Sequence, residues 1–298
     1  MKLEGLHHIT MITGDAQANV AFYADTLGLR LVKKTVNFDA PEAYHLYFGD
    51  EQGTPGSILT WFEFAGARPG VAGEGTIHTL QLGVASPEAL DFWAARLDGA
   101  ERDGDVLRFA DPDGLRLELV VAPERPAQRA RHPEIPEALA ITGPVGARAY
   151  SAYAGVRESV LTDLLGFEHR GGGEYRLGGF AYGLDPSPGH GARMGAGSVH
   201  HIAWASPDDD HLGWLQRVAA AGAHVSDVRD RDYFRSIYFG EPRGVLFEIA
   251  TLSPGFAIDE DPDHLGEALR LPSQHEHLRA QLERTLTPIV NPRAGVRA

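Results

Sequence analysis

Two pairs of adjacent histidines, each inside a short apolar run, are the residues of this sequence best suited to chemistry. The first pair is His7-His8 in GLHHIT, and the second is His200-His201 in SVHHIA, far along the chain. Imidazole is a common metal ligand and titrates near neutral pH, so the repeated pair indicates a metal site or acid–base chemistry. The sequence has no cysteine. Any metal must therefore be bound by histidine, aspartate or glutamate.

Strand geometry selects one histidine from each pair, because side chains alternate between the two faces of a regular strand. One face is bulky and suits packing beneath a helix; it carries His7, Ile9, Met11, His200, Ile202 and Trp204. The other face is smaller and more polar; it carries Leu6, His8, Thr10, Val199, His201 and Ala203. We expect this second face to line a pocket, which makes His8 and His201 the candidate ligands.

A carboxylate completes the candidate site. Glu248 lies in the apolar run LFEIA, where an unpaired charge would be costly. Two imidazoles and one carboxylate form the facial triad that holds non-haem Fe(II) and leaves adjacent positions open. Thr60 takes the position of Glu248 in the first repeat, and its neutral hydroxyl is a weak donor, so we expect open coordination positions. Mn, Zn or Ni could occupy such a site in a purified sample.

These residues belong to a unit that occurs about four times: a β-like run, a capped helix, and a closing strand after a glycine-containing turn. Helices are predicted after Asp15, Pro87, Val156 and Pro207, ending at Gly28, Gly99, Gly166 and Gly222. The closing strands RFADPDGLRLELVV and YFGEPRGVLFEIAT align, which places Glu118 at the position of Glu248. We expect Glu118 to be inert, because Thr79 replaces the second histidine of its own unit.

The repeat predicts an α+β fold of four βαβββ modules, paired into two curved half-barrel sheets. The expected modules cover residues 1–68, 74–122, 138–187 and 197–252, and a tail of residues 253–298 includes a helix from about Glu276 to Leu286. The third module is the least regular. If His8, His201 and Glu248 share one ion, modules 1 and 4 must pair around it.

Composition and charge limit the classes of molecule that this protein is expected to bind. The net charge of −14 disfavours nucleic acid, which is bound mainly by clustered Lys and Arg. The sequence contains no run of about 18 apolar residues that could span a membrane, and its first residues lack the layout of a signal peptide. We therefore expect a cytoplasmic protein that binds a small molecule. The sequence is also compatible with a homo-oligomer.

The same residues carry a resemblance to a known family. The segments GLHHIT, YHLYFGDEQGTPGSILTWF, GSVHHIAW, RDRDYFRSIYFGEPRGVLFEIAT and PGFAIDED together resemble the hydroquinone-type ring-cleaving dioxygenases of the vicinal oxygen chelate (glyoxalase/bleomycin resistance) superfamily. The resemblance spans nearly the whole chain. It implies the vicinal oxygen chelate fold, and Fe(II) held by His8, His201 and Glu248. The implied partners are a hydroquinone- or catechol-like aromatic and O₂.

The resemblance also implies a set of catalytic residues around the metal: Tyr238, Arg231, Thr10, His7 and His200. Tyr238 would hydrogen-bond the substrate or a bound oxygen species, and His7 or His200 would move a proton. Arg231 would stabilise anionic charge or hold the pocket wall. Its alternative role is a salt bridge to a nearby acid, for which the candidates are Asp227, Asp230 and Asp232.

Two other functions remain open at this point. A glyoxalase-like metal-dependent isomerase or lyase would use a similar site but typically presents a fourth protein ligand, where this chain has Thr60. A non-catalytic small-molecule-binding protein of the same fold would not need the triad. Further polar residues have simpler interpretations: His45 either lines the pocket or lies in the core, and the rest are surface features. These are His275, His277, the helix-start acids 208–210 and the acids 259–261 in a solvated loop.

Overall fold

Sixteen strands form within residues 1–123 and 129–294, the part of the chain that the computed structural model describes. The expected module boundary at 123–138 and the tail 253–298 thus lie partly outside the described residues, at 124–128 and 295–298. The strands are β1 (Gly5–Thr13), β2 (Arg30–Val36), β3 (Tyr44–Gly49), β4 (Ile58–Glu63), β5 (Ile77–Val84), β6 (Glu101–Asp103), β7 (Val106–Ala110), β8 (Arg116–Val121), β9 (Gly143–Ser151), β10 (Glu168–Gly171), β11 (Glu174–Leu177), β12 (Phe180–Pro186), β13 (Val199–Ser206), β14 (Arg229–Asp230), β15 (Arg235–Gly240) and β16 (Leu246–Thr251).

Short helices follow the first strand of each group of four. They are α1 (Ala16–Val20), which continues as a π-helix (Ala21–Thr26), α2 (Pro87–Arg96), a π-helical turn (Val160–Leu164) and α3 (His211–Ala220); α4 (Arg279–Thr285) lies in the tail after a 3₁₀ segment (Ser273–Leu278). The side chain of Asp15 caps α1 by accepting from the Ala18 amide. None of the helices within the described ranges is long and apolar enough to cross a membrane.

The third helix is shorter than the sequence predicts. A helix was expected directly after Val156, but only Val160–Leu164 is helical. Tyr175 accounts for the difference, because its hydroxyl accepts from the Glu158 amide at 2.8 Å and lies 3.4 Å from the Val156 carbonyl. These two bonds hold the segment before the helix in a non-helical conformation.

The strands form two sheets of eight strands each, in the orders β14-β15-β16-β13-β1-β4-β3-β2 and β10-β11-β12-β9-β5-β8-β7-β6. The α+β fold with two curved sheets is therefore confirmed. In the first sheet β1 pairs antiparallel with β13, so this sheet combines strands from residues 5–63 and 199–251. In the second sheet β5 pairs antiparallel with β9. The first sheet thus brings the two histidine pairs side by side.

Two inter-sheet connections run alongside each other and form a linker ribbon, residues 68–74 and 190–197. Its isolated bridges join Pro69 to Ala196, Val71 to Arg193 and Glu74 to Gly191. Glycine is required at its crossing points, since a Cβ on Gly73 would lie 2.6 Å from the Gly191 backbone. The ribbon leads directly into β13.

The tail packs on the first sheet and corrects one expectation. The acids at 259–261 were predicted to form a solvated loop, but Glu260 is buried and forms a short ion pair with Lys33 of β2. Lys33 is itself fully buried and also binds Asp259 at 2.6 Å. The reason for the burial is a second apolar cluster beside the ion pairs, where tail residues pack on the sheet; its members include Val32, Tyr47, Tyr233, Phe256 and Leu265.

Candidate metal centre

Each histidine pair lies at a bulge in the central strand pair of the first sheet. In the pairing of β1 with β13, the register passes from Leu6 to His8 and omits His7. On the other strand it passes from His201 to Val199 and omits His200. A bulge places an extra residue in one strand and redirects its side chain. The two strands therefore carry equivalent irregularities, one at the first histidine of each pair.

The bulges overturn the strict alternation expected from the sequence. His7 was placed on the face opposite His8, but the Nδ1 atoms of these two residues are 2.9 Å apart. The Nδ1 atoms of His200 and His201 are likewise 2.7 Å apart. Leu6 and Val199 were placed on the pocket face, and both lie in the apolar core. Both histidines of each pair thus reach the same region of the sheet.

The three proposed ligands converge. One ligand atom from each of His8, His201 and Glu248 lies within 4.8 Å of the other two, and all three residues are buried. Glu248 Oε2 is 2.9 Å from His201 Nε2 and 3.4 Å from His8 Nε2. The two Nε2 atoms are 3.4 Å apart. The sheet register explains this convergence, because Ala203 of β13 pairs with His8 on one side and with Glu248 on the other.

The charges at this cluster suit a divalent cation. Burial raises the pKa of Glu248, but the neighbouring imidazoles of His8 and His201 outweigh it and hold that pKa well below its usual range. Burial lowers the pKa of His201, an effect that Glu248 only partly opposes. At neutral pH the cluster therefore contains an ionised carboxylate and an unprotonated His201. Protons compete little with a metal for such donors.

Hydrogen bonds outside the cluster determine which nitrogen of His8 is free. The carbonyl of Thr251 can only accept, so His7 Nε2 carries the hydrogen that bonds it at 3.0 Å. In the neutral ring His7 Nδ1 is then an acceptor, and His8 Nδ1 must donate to it. Burial, followed by His8, lowers the pKa of His7 to about 3, which keeps that ring neutral. His8 Nε2 is left with its lone pair directed at the cluster.

One atom of the cluster lacks a hydrogen-bond partner, which tests whether a metal fits. Glu248 Oε1 accepts from the hydroxyl of Ser236. Glu248 Oε2 is buried and makes no hydrogen bond of acceptable geometry, despite its short distance to His201. Buried carboxylate oxygens are normally satisfied. The orphaned oxygen and the bare His8 Nε2 fit a shared divalent metal.

A small pocket lies next to the cluster. Its cavity volume is about 30 Å³, and its wall includes aromatic side chains, among them Phe38, Phe62 and Phe234. The ring of Phe234 lies 5.2 Å from that of His8, and Phe62 lies 6.4 Å from His201. A larger cleft, of about 390 Å³, lies beside the linker ribbon, and the residues that line it do not include the three proposed ligands. The smaller pocket is the one lined by His8, His201 and Glu248.

Of the two interpretations of His45, the structure places it in the wall of this pocket. Its Nε2 lies 2.7 Å from the Thr60 hydroxyl, and Thr60 in turn lies 3.2 Å from the hydroxyl of Thr10. Its Nδ1 lies 2.9 Å from the hydroxyl of Tyr47. Burial, followed by His8 and His201, lowers the pKa of His45 well below its usual value. The hydroxyl of Thr60 is thus engaged with other side chains.

Tyr238 and Arg231 complete the pocket wall. Arg231 Nε donates to the Tyr238 hydroxyl at 3.2 Å, and the Tyr238 ring lies 5.7 Å from that of His201. Burial, and then Glu248, raise the pKa of Tyr238 well above its usual value, so the phenol stays neutral. In the described part of the chain Arg231 pairs with Asp39 at 3.2 Å, whereas the expected acids were Asp227, Asp230 and Asp232. Asp39 lies far from Arg231 along the chain, so no local pattern in the sequence indicates this pair.

Comparison with known proteins identifies the family. The profile of the Glyoxalase/Bleomycin resistance protein/Dioxygenase superfamily matches residues 5–119 and 128–249. The chain belongs to this superfamily. MhqO of Bacillus subtilis (strain 168), provisionally named a ring-cleaving dioxygenase, is 45% identical over 96% of this chain and 97% of its own. The chlorohydroquinone/hydroquinone 1,2-dioxygenase of Sphingobium indicum is 34% identical over 97% of this chain and 98% of its own.

Solved structures of the superfamily agree. The crystal structure of a provisionally named dioxygenase from Bacillus subtilis subsp. subtilis str. 168 is 43% identical, covers 97% of this chain and 98% of its own, and superposes with a TM-score of 0.91. Glyoxalase I from Zea mays covers 83% of this chain and 92% of its own at 13% identity, with a TM-score of 0.55. This second likeness concerns the fold alone.

The second sheet repeats the bulge of the first sheet but has different residues at the positions equivalent to the candidate ligands. The register of β5 with β9 omits His78, as that of β1 omits His7, but Thr79 follows and its hydroxyl lies 2.9 Å from His78 Nδ1. Glu118 accepts from Gln81 at 2.9 Å and from Arg108 at 3.2 Å. Its carboxylate is therefore satisfied by protein donors. The bulge is repeated, and the ligands are not.

Several polar residues noted in the sequence lie outside the pocket. His277 is exposed, as expected of a surface residue, whereas His275 is half-buried with its Nε2 2.8 Å from the Phe38 carbonyl. Asp208 accepts from the amide of Leu252 at 3.0 Å, so the first acid of the 208–210 run also anchors the start of the tail. The sequence offered one signal for the tail contacts, the apolar PGFAI segment, but none for their partners.

Proposed function

We propose that this protein is an Fe(II)-dependent ring-cleaving dioxygenase that opens a hydroquinone- or catechol-like aromatic with O₂. His8, His201 and Glu248 would hold the metal. The observation that carries the proposal is the convergence of these three buried donors, with an orphaned Glu248 oxygen, in the wall of an aromatic pocket. The names of the ring-cleaving relatives, which are similar over nearly the full chain, support the choice of reaction.

Thr60 favours this reaction over a glyoxalase-like isomerisation. The isomerases typically use a fourth protein ligand, and Thr60 stands at that position in the repeat. Its hydroxyl lies 2.7 Å from His45 Nε2 and 3.2 Å from the Thr10 hydroxyl, so these contacts engage it away from the ion. A three-ligand site leaves adjacent positions for substrate and a second molecule. A bound Fe(II) would supply Lewis acidity, a template for both reactants and a route for electrons between them.

Aromatic side chains of the pocket would position the substrate ring. Phe62 of β4 and Phe234, the residue before β15, flank the two histidine ligands, with ring distances of 6.4 Å to His201 and 5.2 Å to His8. Aromatic rings prefer offset or edge-to-face contacts at such distances. These contacts would hold a planar ring beside the metal and exclude water from it.

Tyr238 and Arg231 would stabilise polar or negatively charged atoms next to the substrate ring. Arg231 Nε donates to the Tyr238 oxygen, so the phenolic hydrogen points away from Arg231. Tyr238 lines the pocket, and this hydrogen can point into it. A neutral Tyr238 would therefore donate a hydrogen bond to a substrate or oxygen atom. Arg231 stays protonated and would stabilise negative charge that develops there.

His7 and His200 would act through the two ligands. His7 is buried and holds the His8 ring in the orientation and tautomer that metal binding needs. His200 contacts His201 in the same way, but it is exposed to solvent. His200 would thus be the better placed of the two to exchange protons with water. Thr10, beside Thr60, would offer its hydroxyl to a pocket ligand.

The test is anaerobic loading with Fe(II), followed by measurement of O₂ uptake with hydroquinone, with catechol and without substrate. We expect one iron per chain and uptake that requires a quinol or catechol. Glu248→Gln should weaken metal binding by more than about 100-fold, because even an outer partner of a ligand contributes about 10–100-fold.

Glu118→Gln is the matched control, since Glu118 occupies the equivalent position in the second module and binds Gln81 and Arg108 instead. It should keep both iron and activity. Bound Fe(II) without O₂ uptake on any quinol or catechol would refute the dioxygenase. A fully active Glu248→Gln protein would refute the proposed ligands.

A further inference from the structure

The pocket beside the metal ligands is too small for the substrate. Its cavity volume is about 30 Å³, whereas an engineered protein cavity that binds benzene measures about 150 Å³. A quinol ring is larger than benzene. The space next to His8 and His201 is therefore smaller than a ring, and a movement of the pocket wall would make room for one.

Two parts of the wall lie outside the strands. Arg231 and Phe234 belong to the β14–β15 turn, which is closed by the bond from the Arg231 amide to the Phe234 carbonyl at 2.9 Å. The longer β2–β3 loop, Asn37–Ala43, contributes Asn37, Phe38 and Asp39. The loop is closed at its base by the bond from the Asn37 amide to the Ala43 carbonyl, at 2.8 Å, directly beyond the last ladder pair. Loops with few ladder bonds open at lower free energy than strands.

An ion pair joins the tip of this loop to the pocket. Arg231 contacts Asp39 at 3.2 Å, and its guanidinium lies 5.3 Å from the centre of the Phe38 ring. The Asp39 side chain is 75% exposed, whereas that of Arg231 is 16% exposed. Exposed ion pairs are weak and are screened by salt. Arg231 therefore spans from Tyr238 inside the pocket to the loop tip, through an ion pair that salt would weaken.

The tail supports the loop from outside. Gln274 Nε2 donates to the Phe38 carbonyl at 2.6 Å, and His275 Nε2 lies 2.8 Å from the same oxygen. Phe38 is buried although it lies in a loop. Its ring closes the space between the loop and Arg231, and its backbone is held by the tail.

We propose that the loop Asn37–Ala43 is a gate over the metal pocket, that the Asp39–Arg231 pair latches it, and that Phe38 determines which rings are admitted. The inference rests on the proposed function, because an aromatic ring is what the gate would pass. Asp39 is then a positioning residue, which acts on the substrate through Arg231. Phe38 is a specificity-determining residue, because its ring occupies space that a ring substituent would need.

The latch is tested without substrate or metal, by hydrogen exchange of the loop amides in the metal-free protein. Asp39→Asn should speed exchange at Asn37 and Ala43 by about two- to fivefold, the range expected for one exposed ion pair. In wild type the rate should rise towards that of the variant when salt is added. Glu42→Gln is the matched control, since it removes the same charge from an exposed position of the same loop, and should leave the rates unchanged. Equal rates in Asp39→Asn and wild type would overturn the latch.

The role of Phe38 is tested with two substrates. In Fe(II)-loaded protein, Phe38→Ala should raise kcat/KM for tert-butylhydroquinone relative to hydroquinone by at least about tenfold, the range for misfit of a few methyl groups in an apolar pocket. Phe64→Ala, at an exposed apolar residue, is the control and should not change the ratio. An unchanged ratio in Phe38→Ala would overturn the specificity role. Absence of turnover with either quinol in wild type would contradict the proposed function, while the exchange rates would still decide for or against the latch.

Discussion

At the scale of single residues, strand alternation and an isolated carboxylate in an apolar run predicted His8, His201 and Glu248 as candidate ligands. The structure brings the three together within 4.8 Å. Alternation alone misplaced His7, His200, Leu6 and Val199, because a bulge depends on the pairing of two distant strands. In each pair the first histidine is the extra residue of the bulge, so the doubled histidine marks the bulge in the sequence. A repeated pair in two paired strands could have suggested the bulge.

His7 provides a prediction about metal affinity. His7→Leu removes the acceptor for His8 Nδ1 and the bond to the Thr251 carbonyl. We expect metal affinity to fall by about 10–100-fold, as for other outer partners of histidine ligands. The measurement is titration of metal-free protein with Mn(II) or Fe(II) in competition with a chromophoric chelator.

Two further variants separate positioning from simple packing. His7→Gln offers both an acceptor and a donor and should recover part of the affinity. His200→Leu should lose less than His7→Leu, because His200 is exposed and water can replace its acceptor. Wild-type affinity in a folded His7→Leu protein would contradict the positioning role.

At the scale of elements, the strands, most helices and the glycine turns follow from local patterns, and the tail does not. The sequence argument treated the acids at 259–261 as solvated because charge runs usually are. Their partner, Lys33, lies in β2, far from the tail along the chain. The buried ammonium contacts Asp259 and Glu260 and lies 4.8 Å from the Tyr233 ring. Only tertiary packing of the tail could reveal that pairing.

Lys33 gives a prediction about stability. Lys33→Met leaves Glu260 buried with its main countercharge removed, so the free energy of unfolding should fall by about 3–5 kcal/mol. Urea unfolding of the metal-free protein measures it. Adding Glu260→Gln and Asp259→Asn should restore much of the loss, since apolar and neutral groups replace buried ion pairs at little cost. Lys34→Met is the control, because Lys34 is only half-buried and its ammonium donates to the Glu267 carbonyl. A loss below about 1 kcal/mol in Lys33→Met would contradict a stabilising role for the buried pairs.

At the scale of the whole molecule, the repeat in the sequence predicted the two-sheet architecture. The requirement that one ion join residues near both ends of the chain led to the expectation that the first and last modules pair. In the first sheet β1 lies next to β13. The linker ribbon could not be predicted from the sequence, because its bridges join residues such as Val71 and Arg193 that share no local pattern. The expected module bounds predicted only that both segments connect modules.

The glycines of the linker ribbon allow the two connections to touch, which leads to a prediction about the whole fold. A Cβ at Gly73 would lie 2.6 Å from the Gly191 backbone, and one at Gly195 would lie 2.3 Å from the Arg68 carbonyl. Backbone cannot yield as a flexible side chain can, so Gly73→Ala and Gly195→Ala should each lower the free energy of unfolding by about 1–3 kcal/mol. Gly191→Ala is the control in the same ribbon, because its Cβ would meet nothing within 4 Å, and should be neutral or slightly stabilising. Because the ribbon leads into β13, the two destabilised variants should also lose metal affinity, measured by the same chelator titration. Equal stability of all three variants would show that the ribbon is not a close contact between the two halves of the molecule.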